Sequence, residues 1–176
     1  MIEIIVDGKL LDKAKNHYEY MNRMLNQWSF HNGSGNMVGS LGECAVKQYY
    51  GDVMEFPKVW SPNYDITWDN KWKIDVKSKA ISAGIEPKDH FNVSVSTNNG
   101  GAMGTTQQCD IYCFCHVSLD YKKVWIDGFL TKEKFLKTAK FFKKGSLDTD
   151  NPHTKFHFKV DTYVTQISNL QFPKYV

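Results

Sequence analysis

The sequence has no apolar run long enough to cross a membrane, and its first residues lack the features of a secretory signal peptide. A transmembrane helix needs about 18 or more consecutive apolar residues, and the sequence contains no such run. The N-terminal stretch 1–7 (MIEIIVD) lacks both the basic start and the long apolar segment of a secretory signal. These absences predict a cytoplasmic protein with no membrane contact.

Cysteine is scarce, and its spacing matches no standard zinc site. The four cysteines are Cys44, Cys109, Cys113 and Cys115, without the paired short spacings of structural zinc sites. We expect buried, small apolar side chains with free thiols, which suits a reducing compartment. The glycine-rich stretch 98–108 also lacks the fixed spacing and Lys-Ser/Thr ending of a phosphate-binding loop, so ATP use has no support.

Composition indicates one globular domain over residues 1–176, because the hydrophobic share is 41% and the aromatic share 14%. The net charge of +3 is too small to establish nucleic-acid binding by itself. Lysine clusters at 71–79 and 132–144 still offer local contacts for phosphates. Charge therefore permits a nucleic-acid partner without requiring one.

Apolar periodicity predicts helices over about 9–28 and 37–50, and a third from the cap residue Thr131 to about Lys144. Asp7 is placed to cap the first helix. Val38, Leu41, Ala45 and Tyr49 are the predicted buried stripe of the second helix. Strands are predicted over 91–97, 110–117 and 124–129, with a further strand within 155–170. The nearly continuous apolar run 110–117 should be the central strand.

Two short alternating segments, 64–68 and 72–77, predict a hairpin. A two-residue loop would place Asp65 opposite Ile74 and mix apolar with charged residues on both faces. A three-residue loop segregates the faces, and because a one-residue slip moves every side chain to the opposite face, this register is preferred. It pairs Trp68 with Trp72, Ile66 with Ile74, and Asp65 with Asp75.

In that register Asp65 and Asp75 are cross-strand neighbours with Cβ atoms about 5 Å apart, and Lys77 follows on the same face. Two carboxylates so close repel each other, and a hard divalent cation between them would reverse the sign of the interaction. An ordinary solvated hairpin face, with lysines neutralising the acids, explains the pattern equally well. The hairpin alone does not separate the two interpretations.

Glu43 lies on the flank of the second predicted helix, where its carboxylate could reach the neighbouring sheet. A single helix glutamate is more often solvated than functional. Lys73 and Lys79 on the hairpin, with Asn92 and Ser94 on the next strand, are candidate phosphate contacts or simply face water.

Together, Glu43 in a Gly-Glu helix, Asp65 at the start of one strand and Asp75-Val76-Lys77 on the next resemble the PD-(D/E)xK nuclease superfamily. The resemblance is to phage or restriction-type members and covers about residues 37–129. It implies an α/β restriction-endonuclease-like fold, with a central mixed sheet flanked by helices and a catalytic core over about 37–145. The helix usually found between the third and fourth core strands is not visible within residues 80–108.

The resemblance further implies a Mg²⁺-dependent DNA endonuclease, with Mn²⁺ as a substitute. Glu43, Asp65, Asp75 and the Val76 carbonyl would hold the metal, and Lys77 would lie beside the attacking water. The expected partner is double-stranded DNA, cut by a homodimer in a bacterial or phage-infected cell. Two alternatives remain open: an inactive DNA-binding or partner-binding module of the same fold, and a resolvase specific for junctions or flaps.

Overall fold

The computed structural model describes residues 1–24, 34–59, 61–97, 104–149 and 156–173. The last residues of the first predicted helix, 25–28, and residues 98–103 of the glycine-rich stretch lie outside these segments. Within them, no helix combines the length and the apolar character needed to cross a membrane.

The described segments contain nine strands and three α-helices. The strands are β1 (Ile2–Ile5), β2 (Met54–Glu55), β3 (Ile66–Trp68), β4 (Trp72–Ile81), β5 (Asn92–Ser96), β6 (Ile111–Ser118), β7 (Lys123–Thr131), β8 (Lys140–Phe142) and β9 (Thr162–Gln166). The helices are α1 (Gly8–Met24), α2 (Ser34–Tyr50) and α3 (Lys132–Thr138). The protein is therefore of mixed α and β class, as predicted.

Six strands form a mixed sheet in the order β1-β7-β6-β4-β3-β2. β4 and β6 run parallel, whereas the other neighbouring strands are antiparallel. The predicted central strand is confirmed, since β6 lies inside the sheet with both faces covered. Its Tyr112 and Phe114 are buried on one face, and Cys113 and Cys115 are buried on the other. All four cysteines are buried and free, as expected.

The helices cover opposite faces of this sheet. Asp7 caps α1 as predicted, because its carboxylate accepts a hydrogen bond from the Leu10 N–H at 2.7 Å. Leu41 and Ala45 of α2 pack with sheet residues such as Ile74 in the larger apolar core. The prediction for Tyr49 is wrong: its side chain is exposed.

The third helix is shorter than predicted. Thr131 does cap it, accepting a hydrogen bond from the Lys134 N–H at 3.2 Å, and Phe135 is buried against the second apolar core. The helix ends at Thr138 rather than near Lys144, because Ala139 adopts an extended conformation. Residues 140–142 then form β8.

β8 belongs to a second, three-stranded antiparallel sheet in the order β5-β9-β8. The predicted strand over 91–97 corresponds to β5, and the predicted C-terminal strand is confined to β9. Phe142 of β8 stacks on Phe158 with ring centroids 4.5 Å apart, forming a small separate apolar cluster. This second sheet stands beside the outer part of β4.

Candidate active site

The hairpin register brings Asp65 to β4. The observed pairs are Ile66 with Ile74 and Trp68 with Trp72, so the predicted three-residue-loop register is confirmed. Asp65 lies directly before β3, where regular pairing with β4 stops. Its carboxylate accepts a hydrogen bond from the Val76 N–H at 2.7 Å. The carboxylate thus serves as acceptor for a strand N–H that β3 is too short to reach.

Asp75 and Lys77 form an ion pair on the same strand. Lys77 Nζ lies 2.6 Å from Asp75 Oδ2. The Asp75 side chain is only 2% exposed, and within the described segments its Oδ2 atom has no hydrogen bond of regular geometry. The charge of this buried carboxylate is therefore balanced chiefly by the ammonium of Lys77.

Burial alone would lower the pKa of Lys77, but the charges of Asp75 and Asp65 raise it more, so the net pKa lies above its ordinary value. Lys77 consequently remains an ammonium at neutral pH. The Lys77 side chain is 26% exposed, so it keeps access to the surface. An ammonium held in this way can attract and stabilise negative charge, but it cannot accept a proton.

Glu43 reaches the site from α2 and is buried rather than solvated. Its Oε2 atom lies 2.6 Å from Nε2 of His17 on α1, and the His17 ring stacks on Phe56 with centroids 4.6 Å apart. Helical spacing predicts only packing for α1, so the sequence did not reveal His17 as a site residue. No local pattern distinguishes this histidine, because its partner lies 26 residues further along the chain.

The three carboxylates influence one another electrostatically. Burial raises the pKa of Asp65 well above its ordinary value, and the negative charges of Glu43 and Asp75 raise it further. Lys77 and the Val76 N–H act in the opposite direction without cancelling this rise. Asp65 therefore ionises less readily than an exposed aspartate.

Carboxylate oxygens are the ligands that Mg²⁺ and Mn²⁺ prefer, and the burial of Asp75 and the raised pKa of Asp65 fit a site for a cation. The Lys77 ammonium, 2.6 Å from Asp75 Oδ2, already occupies part of that site. The arrangement is not a preformed cage, however. Among the described residues, no three His, Cys, Asp or Glu side chains are grouped closely enough to hold a metal ion. Val76 contacts Asp65 through its N–H, and a role for its carbonyl as a metal ligand stays a prediction.

Two openings give access to these residues. Glu43 and Asp65 line a pocket of about 260 Å³ together with His17, Phe56 and Tyr64. Lys77 lines a separate cleft of about 840 Å³. Glu43 and Asp65 are therefore accessible from one opening and Lys77 from the other. The buried Asp75, which is ion-paired with Lys77, lines neither of them.

The candidate phosphate contacts divide in the same way. Lys79, Asn92 and Ser94 line the large cleft with Lys77. Lys73 does not line the cleft. Its ammonium lies 5.5 Å from the Tyr64 ring centroid, and its backbone N–H donates to Asp110 Oδ2 at 2.8 Å. Three of the four predicted contacts thus share one surface with Lys77.

Gln107 is a further residue of the site that the sequence did not reveal. Its Oε1 accepts a hydrogen bond from Lys77 Nζ at 2.8 Å, and its Nε2 donates to the Pro62 carbonyl at 3.2 Å. Lys132 Nζ donates to the Gln107 backbone carbonyl. Gln107 therefore connects Lys77 to the loop that precedes β3.

Comparison of the chain with protein-family models and with curated proteins gave no match.

Proposed function

We propose that the chain is a Mg²⁺-dependent DNA endonuclease of restriction-endonuclease-like fold, with Glu43, Asp65, Asp75 and Lys77 as its catalytic residues. The observation that carries the proposal is the Asp75–Lys77 ion pair at 2.6 Å beside Asp65. The four residues were named from the sequence pattern and lie on α2, directly before β3, and on β4. Contacts or electrostatic interactions nevertheless connect them in the structure. A solvated hairpin face would not bury Asp75 or hold Lys77 in this way.

The topology supports the same proposal. The antiparallel β3–β4 hairpin is followed by the parallel pairing of β4 with β6, and α2 packs against the face of the sheet that carries Ile66 and Ile74. This is the mixed sheet flanked by helices that the resemblance implies. No α-helix occurs in the described residues between β4 and β6.

In the proposed reaction a water oxygen bonds to phosphorus as its proton passes to solvent, and the bond from phosphorus to the leaving oxygen breaks as that oxygen takes up a proton from solvent. In the described arrangement Glu43, Asp65 and Asp75 are not grouped closely enough to hold a metal ion, so they would hold it only after moving together. A bound metal would polarise the phosphate and lower the pKa of the attacking water. Lys77, as a fixed ammonium, stabilises the negative charge that develops on the phosphate oxygens. Gln107 keeps the Lys77 ammonium in place.

Cleavage of linear, nicked, branched and single-stranded DNA, with Mg²⁺ and with EDTA, tests the proposal. We expect Mg²⁺-dependent cleavage that Asp75→Ala abolishes. Lys122→Ala is the matched surface control, since Lys122 is 80% exposed at the β6–β7 turn. Equal cleavage by wild type and Asp75→Ala, or cleavage that persists in EDTA, would refute the assignment.

A second candidate is a DNA-binding module without catalysis. It is favoured by one observation: each acid already has a protein partner, with His17 against Glu43, the Val76 N–H against Asp65, and Lys77 against Asp75. Titration with Mg²⁺ or Mn²⁺, followed by calorimetry, separates the two candidates. A binding module would take up neither ion at these carboxylates, whereas the nuclease would take up both.

A further inference from the structure

The cleft beside Lys77 is larger than the pocket beside Glu43, and the proposed hydrolysis uses only one of its walls. Its volume is about 840 Å³, and it lies between the outer part of β4 and the second sheet. Residues of β4, β5 and β9 and of the segment 156–160 line it. β3 pairs with β4 only as far as Ile74, so this stretch of β4 is left open to the cleft.

The charge of the cleft favours an anion. Among the described residues, three lysines line it, Lys77, Lys79 and Lys159, with one carboxylate from Asp148. Because Lys77 is paired with the buried Asp75, Lys79 and Lys159 supply the positive charge that exceeds that of Asp148. Lys79 Nζ lies 3.3 Å from the Asn92 carbonyl, which fixes its ammonium at the wall formed by β5. Lysines spaced along a groove are the usual contacts for a phosphate backbone, which carries one charge per nucleotide.

The remaining lining is apolar and aromatic. Val76, Val93 and Val95 are buried side chains on the walls of the cleft. Phe156 is 48% exposed at the cleft, and its ring meets the buried Phe158 ring edge to face at 5.3 Å. An exposed ring, supported from behind and next to lysines, suits stacking with a nucleobase.

We propose that this cleft binds one unpaired strand of nucleic acid, with phosphates on Lys79 and Lys159 and a base on Phe156. The volume is that of a pocket for a small molecule, so it holds a few nucleotides of a single strand and excludes a duplex. The inference rests on the proposed nuclease site, because Lys77 belongs to both. It makes the preferred substrate DNA with a single-stranded arm rather than uniform duplex.

Fluorescence anisotropy with a short fluorescein-labelled oligothymidylate, in EDTA to prevent cleavage, tests the proposal. For a single strand, the slope of log K against log salt is about −0.7 per phosphate contact. Lys159→Gln should therefore reduce the magnitude of the slope by about 0.7. Phe156→Ala should weaken binding roughly 5- to 150-fold by loss of stacking while leaving the slope unchanged.

Two matched controls lie away from the cleft. Lys137 is exposed on α3, and Phe141 is 44% exposed on the other side of β8, with its ring beside Tyr163 at 5.0 Å. Lys137→Gln and Phe141→Ala should bind the probe like wild type. Thermal unfolding of all four variants checks that the fold is intact, and Lys79→Gln replaces Lys159→Gln if the latter unfolds.

Binding by Lys159→Gln and Phe156→Ala that equals the controls would overturn the proposal. So would displacement of the probe by thymidine monophosphate or by duplex as effectively as by unlabelled strand. Probe binding that depends on both residues, in a protein that never cleaves with Mg²⁺, would support the cleft and refute the nuclease. If Lys159→Gln and Phe156→Ala cleave DNA like wild type and bind the probe like the controls, the nuclease is supported and the strand-binding cleft is refuted.

Discussion

The Asp65 carboxylate accepts a hydrogen bond from the Val76 N–H at 2.7 Å, at the point where β3 stops pairing with β4. The early end of the pairing between β3 and β4 therefore has two effects. It leaves a backbone N–H on β4 that a side chain must satisfy, and it brings the first acid of the site beside Asp75. The negative charge gathered there, with Lys77 as its nearest ammonium, determines how the site should respond to substitution, pH and metal.

Asp65→Asn should stabilise the metal-free protein at pH 7. The folded-state pKa of Asp65 is raised well above 3.8 by burial and then by Glu43 and Asp75. The contribution of Asp65 to the free energy of unfolding is therefore fully present below pH 3.8, and it is lost as pH rises through the folded-state pKa. Asparagine removes this loss and can still accept the Val76 N–H. Thermal unfolding in EDTA should give the variant a higher Tm at pH 7, with the gain vanishing towards pH 3.8.

Asp12→Asn is the control for that experiment, because Asp12 is exposed on α1 and its ion pair with Lys15, at 3.8 Å, is also exposed. Its substitution should change the free energy of unfolding by less than about 0.5 kcal/mol. A lower Tm for Asp65→Asn than for wild type at pH 7 would show that the Asp65 charge stabilises the fold, which is incompatible with a raised pKa.

Mg²⁺ or Mn²⁺ should raise the Tm of the wild-type protein. A ligand at a hundredfold excess over its Kd adds about 2.7 kcal/mol to the free energy of unfolding. Glu43→Gln and Asp75→Asn should each reduce this gain, since both would remove a carboxylate ligand. Asp120→Asn, at the exposed β6–β7 turn, should retain the full gain. Equal gains in all four proteins would place metal binding elsewhere.

Gln107→Ala should slow catalysis without weakening substrate binding. The substitution removes the 2.8 Å hydrogen bond to Lys77 Nζ, and hydrogen bonds to charged groups contribute about 1.5–3 kcal/mol, or roughly 10- to 150-fold in rate. We expect a lower kcat and an unchanged KM in cleavage assays. Gln108→Ala is the control, because the described contact of Gln108 is made by its backbone N–H, to Asn63 Oδ1. Similar rates for both variants would remove Gln107 from the site.

His116→Leu should destabilise the fold by about 3–5 kcal/mol, because it leaves the Asp127 carboxylate buried without its partner. His116 Nδ1 lies 2.7 Å from Asp127 Oδ2, and both side chains are almost wholly inaccessible. Combining the substitution with Asp127→Leu should recover most of the loss. Urea denaturation measures both changes, and a double variant as unstable as the single one would contradict this explanation.

Local pattern was sufficient to predict the hairpin, since only one loop length segregates the two faces of 64–68 and 72–77. It was also sufficient for β6, whose residues are apolar on both faces. Helical spacing misassigned residues 140–142, because Phe142 suits a helix with Phe135 as well as it suits a strand against Phe158. Pairing with β9 decides that choice, and local spacing contains no information about it.

Contacts across long stretches of chain account for what the sequence did not reveal at the site. His17 meets Glu43 only because α1 lies against α2, and Gln107 meets Lys77 from 30 residues away. β1, which pairs with β7, was likewise not predicted, because four residues at the N-terminus give too short a pattern. Such partners are fixed by tertiary packing rather than by spacing.

The most direct test of the central claim is the single-turnover rate of DNA cleavage at saturating Mg²⁺ for wild type, Lys77→Met and Lys122→Met. Loss of a fixed charge that stabilises the transition state should slow Lys77→Met by about 10²–10³-fold. Lys122→Met should cleave at the wild-type rate. Equal rates for Lys77→Met and wild type would contradict the assignment of a catalytic site at Asp65, Asp75 and Lys77.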